Sequence, residues 1–155
     1  MAKYSINNTL TGTQQAVAAA YKTLLVASSS ATARRGKLYD LTIGSNGTPA
    51  DNFYEFDISR QTVAGTGTAA TPLPLDPADA AALSTGTVNF TVEPTYSATS
   101  SLLNMPGNQR VTLRWVAVPG SELVWPATVS LGLGARIKSA AYTGTATCTA
   151  LFEEQ

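Results

Sequence analysis

The stretch Tyr39-Asp-Leu-Thr-Ile-Gly-Ser-Asn-Gly-Thr-Pro-Ala-Asp-Asn-Phe-Tyr-Glu-Phe-Asp-Ile58 holds two runs of the same period, separated by turn residues. In the first, Tyr39, Leu41 and Ile43 fall on one side and Asp40 and Thr42 on the other. In the second, Tyr54, Phe56 and Ile58 oppose Glu55 and Asp57. A period of two belongs to an extended chain with one dry and one wet face. Between the runs, Asn46-Gly47 is the strongest short hairpin signal, because both residues tolerate positive φ. The stretch predicts two antiparallel strands in a sheet with one buried face.

Working outward, the same alternation recurs. Val88, Phe90 and Val92 alternate with Thr87, Asn89 and Thr91. Val111, Leu113, Trp115 and Ala117 alternate with Arg110, Thr112 and Arg114. Val129, Leu131, Leu133 and Ile137 alternate with Ser130, Gly132, Gly134 and Arg136. Weaker runs at 4–7, 22–28 and 145–152 bring the expectation to about eight strands. Pro106-Gly-Asn108 and Pro119-Gly-Ser121 read as turns. Residues 1–21 read as an irregular lead-in, with Thr13 to Tyr21 ambiguous between helix and strand. Residues 61–86, rich in Gly, Ala, Thr and Pro, read as a long connection. Within it, Asp76 as N-cap, Pro77 at the first helical position and Asp79 in the first turn predict one short helix near 77–83.

A chain of 155 residues is most simply one domain, 1–155, large enough to fold without disulfide or metal. The expected fold is all-β, an antiparallel β-sandwich of jelly-roll type. Another sandwich and a barrel are the alternatives. An antibody-type domain needs a Cys…Trp…Cys spacing, and Cys148 is the one cysteine.

The composition constrains chemistry more than it suggests any. There is no histidine, 13% of residues are charged, and ten basic residues balance ten acidic ones. The one basic cluster is Arg34-Arg35-x-Lys37, too little for the phosphate-neutralising footprint of a nucleic-acid binder. The N-terminal residues lack the apolar core of a signal peptide, and the longest apolar run, near Ala16 to Ala20, is far short of a membrane span. No nucleic-acid or membrane partner is expected. Cys148, alternating with threonines, reads as a buried small hydrophobe.

Asp51, Glu55, Asp57 and Glu93 are the carboxylates a glycosidase-like pair would need. Glu55 and Asp57 share a strand face opposite Tyr54 and Phe56, and that face reads as solvated. Asp76 and Asp79 are explained by helix capping rather than calcium. Gly65-Thr-Gly67 lacks the spacing and context of a phosphate loop. The sequons at Asn7, Asn46 and Asn89 are what a Thr-rich chain produces by chance. No catalytic residue, metal or cofactor is therefore expected. Trp115 belongs to an apolar strand face, whereas Trp125 precedes Pro126 after a turn and reads as edge or subunit packing, with a sugar platform as the alternative. Leu102, Leu103 and Met105 in one apparent connection, and Leu73 and Leu75 in another, are large apolar groups that either fold over the core or mark a contact patch. With Trp125 they form the expected subunit or partner interface. So few charges leave sheet edges poorly protected, and oligomerisation would cover them.

Several blocks together carry a resemblance. They are Arg35-Gly-Lys-Leu-Tyr-Asp-Leu-Thr-Ile-Gly-Ser-Asn-Gly-Thr-Pro-Ala-Asp-Asn52, Leu75-Asp-Pro-Ala-Asp79, Glu93-Pro-Thr-Tyr96, Gln109-Arg-Val-Thr-Leu-Arg-Trp-Val-Ala-Val-Pro-Gly-Ser-Glu-Leu-Val-Trp-Pro126, Ala141-Tyr-Thr-Gly144 and Leu151-Phe-Glu-Glu154. In this order along nearly the whole chain, the sequence resembles small virion proteins of tailed bacteriophages. The resemblance implies a capsid cement or decoration protein, a jelly-roll homotrimer on the capsid exterior. It would be made in the host cytoplasm, bind the major capsid protein and bridge capsomers. It brings no catalytic motif and fixes no contact residues. A tail or head-fibre module binding host glycans is the alternative, and a glycan-acting enzyme using the acids above is a more distant one.

Overall fold

The computed structural model describes residues 1–9, 16–140 and 144–155. Among these the chain is all β, with thirteen strands: β1 Lys3–Asn7, β2 Lys22–Ser29, β3 Gly36–Ser45, β4 Phe53–Val63, β5 Thr66–Ala70, β6 Leu73–Pro74, β7 Ser84–Val92, β8 Thr95–Tyr96, β9 Leu103–Asn108, β10 Leu113–Val116, β11 Leu123–Trp125, β12 Gly132–Lys138 and β13 Ala146–Glu154. They pair antiparallel in two sheets. One runs β10-β3-β13-β1-β6, with β11 also on β3; the other runs β5-β7-β2-β12-β4-β8, with β9 also on β4. The series β1-β13-β3-β10 in one sheet and β2-β12-β4-β9 in the other, with the chain crossing between sheets at almost every step, is jelly-roll-like. Strands β5, β6 and β7 widen both sheets on the β1/β2 side.

The dry faces meet as one core. Ile6, Leu24, Leu25, Leu41, Ile43, Tyr54, Phe56, Ile58, Val88, Ile137, Cys148 and Phe152 are buried in it. Each such side chain contributes roughly 1.5–3 kcal/mol by leaving water. Trp125 is fully buried and meets the Phe152 ring edge-on at 5.2 Å. It is a core residue, which corrects the expectation of an exposed edge or interface tryptophan. Its indole lies against Gly36, where any Cβ would collide with it, so the glycine is required by close approach. Trp115 is only partly buried and packs at the rim of the core.

Alternation fails where the ladder slips. Opposite Leu151 and Phe152 stand Asp40 and Leu38, leaving Tyr39 as the extra residue of a bulge. Leu38 therefore takes the core position and Tyr39 turns outward, under Lys3 at 5.4 Å. In β7 the ladder to β5 slips between Val88 and Val92, and Asn89 within that stretch has a φ of 51°. Val88 stays in the core, while Phe90 moves to the outer side beside Val26 and Val92 is 59% exposed.

Turn signals were displaced too. The Asn46-Gly47 loop, with Gly47 at φ 89°, joins β3 and β4, which lie in different sheets, so it is a crossover and not a hairpin. No helix forms near 77–83. The Asp76 carboxylate accepts the Ala78 N–H at 2.9 Å and the Asp76 carbonyl accepts the Asp79 N–H at 3.0 Å, closing a single turn. Asp-Pro serves a lone turn as well as a helix start, and no apolar face follows to hold a helix down. The supposed connection 61–86 contains β5 and β6 as well as the start of β7. Pro106-Gly107 lies inside β9, an edge strand, where a missing N–H is tolerated; the turn comes after it, nucleated by Asn108. The lead-in is likewise structured at β1, and Val17 is buried with its N–H on the Gly144 carbonyl at 2.8 Å. Residues 10–15 and 141–143, on which parts of the Thr13 to Tyr21 and Ala141 to Gly144 readings fall, lie outside the described residues.

Candidate functional site

The outer face of the seven-stranded sheet carries the richest side-chain chemistry among the described residues. On β12, Leu133, Ala135 and Ile137 point inward, so Gly132, Gly134, Arg136 and Lys138 point outward. Gly132 lies tight against β2, and Gly134, without a side chain, leaves a furrow. Tyr96 from β8 lies across it, and a Cβ at Gly134 would collide with the phenol. The Arg136 guanidinium sits between the Tyr96 and Tyr21 rings, 4.5 and 4.6 Å from their centroids. Such stacking favours the cation most where water is excluded.

Beneath the guanidinium, Asp57 accepts from Arg136 Nε at 2.6 Å and from the terminal nitrogen, which also donates to Ser59. Asp57 and Ser59 are 3% and 0% exposed. The face read as solvated is thus buried at Asp57, because Arg136 with the Tyr21 and Tyr96 rings covers it. Glu55 is held at its margin by Tyr21 Oη at 2.5 Å, Asn104 Nδ2 at 2.7 Å and Lys138 Nζ at 3.1 Å. Donation from the Tyr21 hydroxyl, then from Asn104 and Lys138, lowers the Glu55 carboxyl to about 2. That acid stays ionised at neutral pH and has no proton to give. Glu93 accepts from Thr23 Oγ1 at 2.6 Å, and Lys22 lies 3.9 Å away. Thr23 Oγ1 is 2.9 Å from the Tyr96 hydroxyl, which therefore donates to it. Burial pushes the Tyr96 phenol well above its ordinary value. Asp51, the fourth candidate acid, is apart from this group and accepts from Asn108 at 2.6 Å. The arrangement pairs its charges internally and ties the 93–104 segment and Tyr21 to the sheet.

Toward the other end of the same face, β2, β4 and β7 with their loops form a cleft of about 280 Å³. Val26 and Phe90 give it an apolar part, and Ser28, Thr85 and Thr87 give it hydroxyls. Gln61, 6% exposed, also lines it, and its Oε1 is buried without a hydrogen-bond partner. The sequence offered no hint of this cleft. The tyrosine–arginine cover does have a sign in the sequence: a glycine on the outer side of a strand, here Gly134, marks where another segment must come close.

Of the residues expected at an interface, Leu73 and Leu75 are 64% and 50% exposed, on and just after β6. Leu102 is 38% exposed, while Leu103 and Met105 are half-buried in β9. The structure does not bring the two groups together. Strand β6 borders β1, and Ile6 of β1 overlies Gly86 of β7, so β5 and β6 share one side of the sandwich. Leu113 of β10 reaches Gly107 of β9, so β9 and β10 share the opposite side. Trp125 belongs to neither.

Among the described residues no group of three or more His, Cys, Asp or Glu is placed to hold a metal ion. Cys148 is fully buried, which pushes its thiol up to about 12. No protein-family model, curated protein or solved structure matches the chain.

Proposed function

We propose that this chain is a bacteriophage structural protein, a capsid cement or decoration protein that sits as a homotrimer on the head exterior and bridges neighbouring copies of the major capsid protein. The observation that carries the reading is the pair of apolar groups on opposite sides of the sandwich, around Leu73 and Leu75 on one and Leu102, Leu103 and Met105 on the other. A two-fold contact joins one patch to itself. A cyclic trimer needs two different patches meeting head to tail, with a 120° rotation from one protomer to the next. The resemblance to small virion proteins supplies the shell as partner. A trimer then presents three equal copies of its remaining surface, and once one protomer is seated the others bind at high effective concentration. Zero net charge avoids electrostatic repulsion between copies crowded on a shell.

The experiment is addition of purified protein to heads that lack it, followed by heating. The reading predicts that decorated heads release their DNA at a higher temperature than bare ones. An unchanged release temperature at saturating protein would contradict it.

A further inference from the structure

The cleft beside the tyrosine–arginine cover has a chemistry that neither the trimer nor a shell contact uses. Its lining residues are all uncharged. A charged ligand would lose its hydration there without meeting a counter-charge. A purely apolar one would strip water from the Thr87 hydroxyl and from the spare lone pairs of Ser28 and Thr85, whose hydroxyls bond to each other, and that also costs free energy. What fits is a neutral molecule with an apolar face and several hydroxyls.

Gln61 sharpens the description. A side chain 94% buried ordinarily has its carboxamide bonded, yet Oε1 has no partner. A half-turn of the amide exchanges its donor and acceptor ends, so it can answer a ligand hydroxyl in either sense. Ser28 Oγ and Thr85 Oγ1 lie 3.2 Å apart, which orients both hydroxyls at the cleft wall. The volume, about 280 Å³, is at the small end for ligand pockets, which matches one ring rather than a chain. We propose that this cleft is a subsite for a single neutral pyranose unit of a glycan, with Phe90 and Val26 against its C–H face and Gln61 on its hydroxyls. The subsite does not depend on the proposed trimer or on its capsid partner.

The test is a titration of isotope-labelled protein with the methyl glycosides of glucose, galactose, mannose and N-acetylglucosamine, and of glucuronate as a charged control, to about 50 mM, well above a millimolar Kd. At least one neutral glycoside is expected to give saturable amide shifts confined to residues 28–31, 61–65 and 85–90. Gln61→Ala is expected to weaken that binding by about tenfold or more, with amide shifts outside the cleft unchanged to show that the variant is folded. Thr87→Val, isosteric and fold-preserving, should weaken it as well. The proposal is overturned if no neutral glycoside moves these amides, or if glucuronate binds as tightly. Shifts that arise merely on concentrating the protein would also overturn it, by placing a second copy in the cleft.

Discussion

Arg136 stands where two tyrosine rings and one carboxylate have taken the place of water. Breaking such a pair strands a buried charge, so Arg136→Ala is expected to lower stability by about 3–5 kcal/mol in urea titration. Exchanging both partners for apolar groups, Asp57→Leu with Arg136→Met, should recover most of that loss, because the cost lies in the orphaned charge. Trp125→Ala should cost about 3–5 kcal/mol by opening the core. It should leave the oligomeric state of the folded protein unchanged, which an interface residue would not. At this scale the sequence was only partly legible. Tyr54, Phe56, Ile58 and Cys148 could be placed because alternation alone sets their side of the strand. Trp125 could not, because its burial depends on the missing side chain of Gly36, which precedes it by 89 positions. Asp57 could not either, since what covers it comes from Tyr21 and Tyr96, on other elements.

The elements follow the same division. Each predicted strand is present, because a two-residue period survives whatever packs against it. What the period does not carry is which strands pair: Asn46-Gly47 has the residues of a hairpin, yet β3 and β4 part to different sheets. Nor does it reveal slips in a ladder, so the bulge at Tyr39 and the irregular stretch at 88–92 turned Tyr39 and Phe90 to the outer side. The cover over β12 offers two tests. Gly134→Ala should cost about 1–3 kcal/mol by forcing Tyr96 out of its furrow, and much less in a Tyr96→Ala background. The second test uses Glu55. Its folded carboxyl, near 2, lies below the ordinary 4.5. Its bonds therefore stabilise the fold fully above pH 4.5 and lose that effect as pH falls through 4.5 toward 2. Glu55→Gln should flatten the stability–pH curve in that window, and an unaltered slope would show that Tyr21, Asn104 and Lys138 do not hold the carboxylate in solution.

For the whole molecule, the two-layer sandwich was legible and its edges were not. Leu73 and Leu102 were visible as apolar residues outside the clear strands, but only the order of strands in each sheet shows that they lie on opposite sides. Two different patches are what the proposed head-to-tail trimer would use. Light scattering at tens of micromolar tests the claim most directly, on the wild type and on Leu73→Asp/Leu75→Asp. The account predicts a wild-type particle of three 16.1 kDa chains and a folded monomer for the double variant. A wild-type protein that stays a single 16.1 kDa chain at that concentration would contradict it.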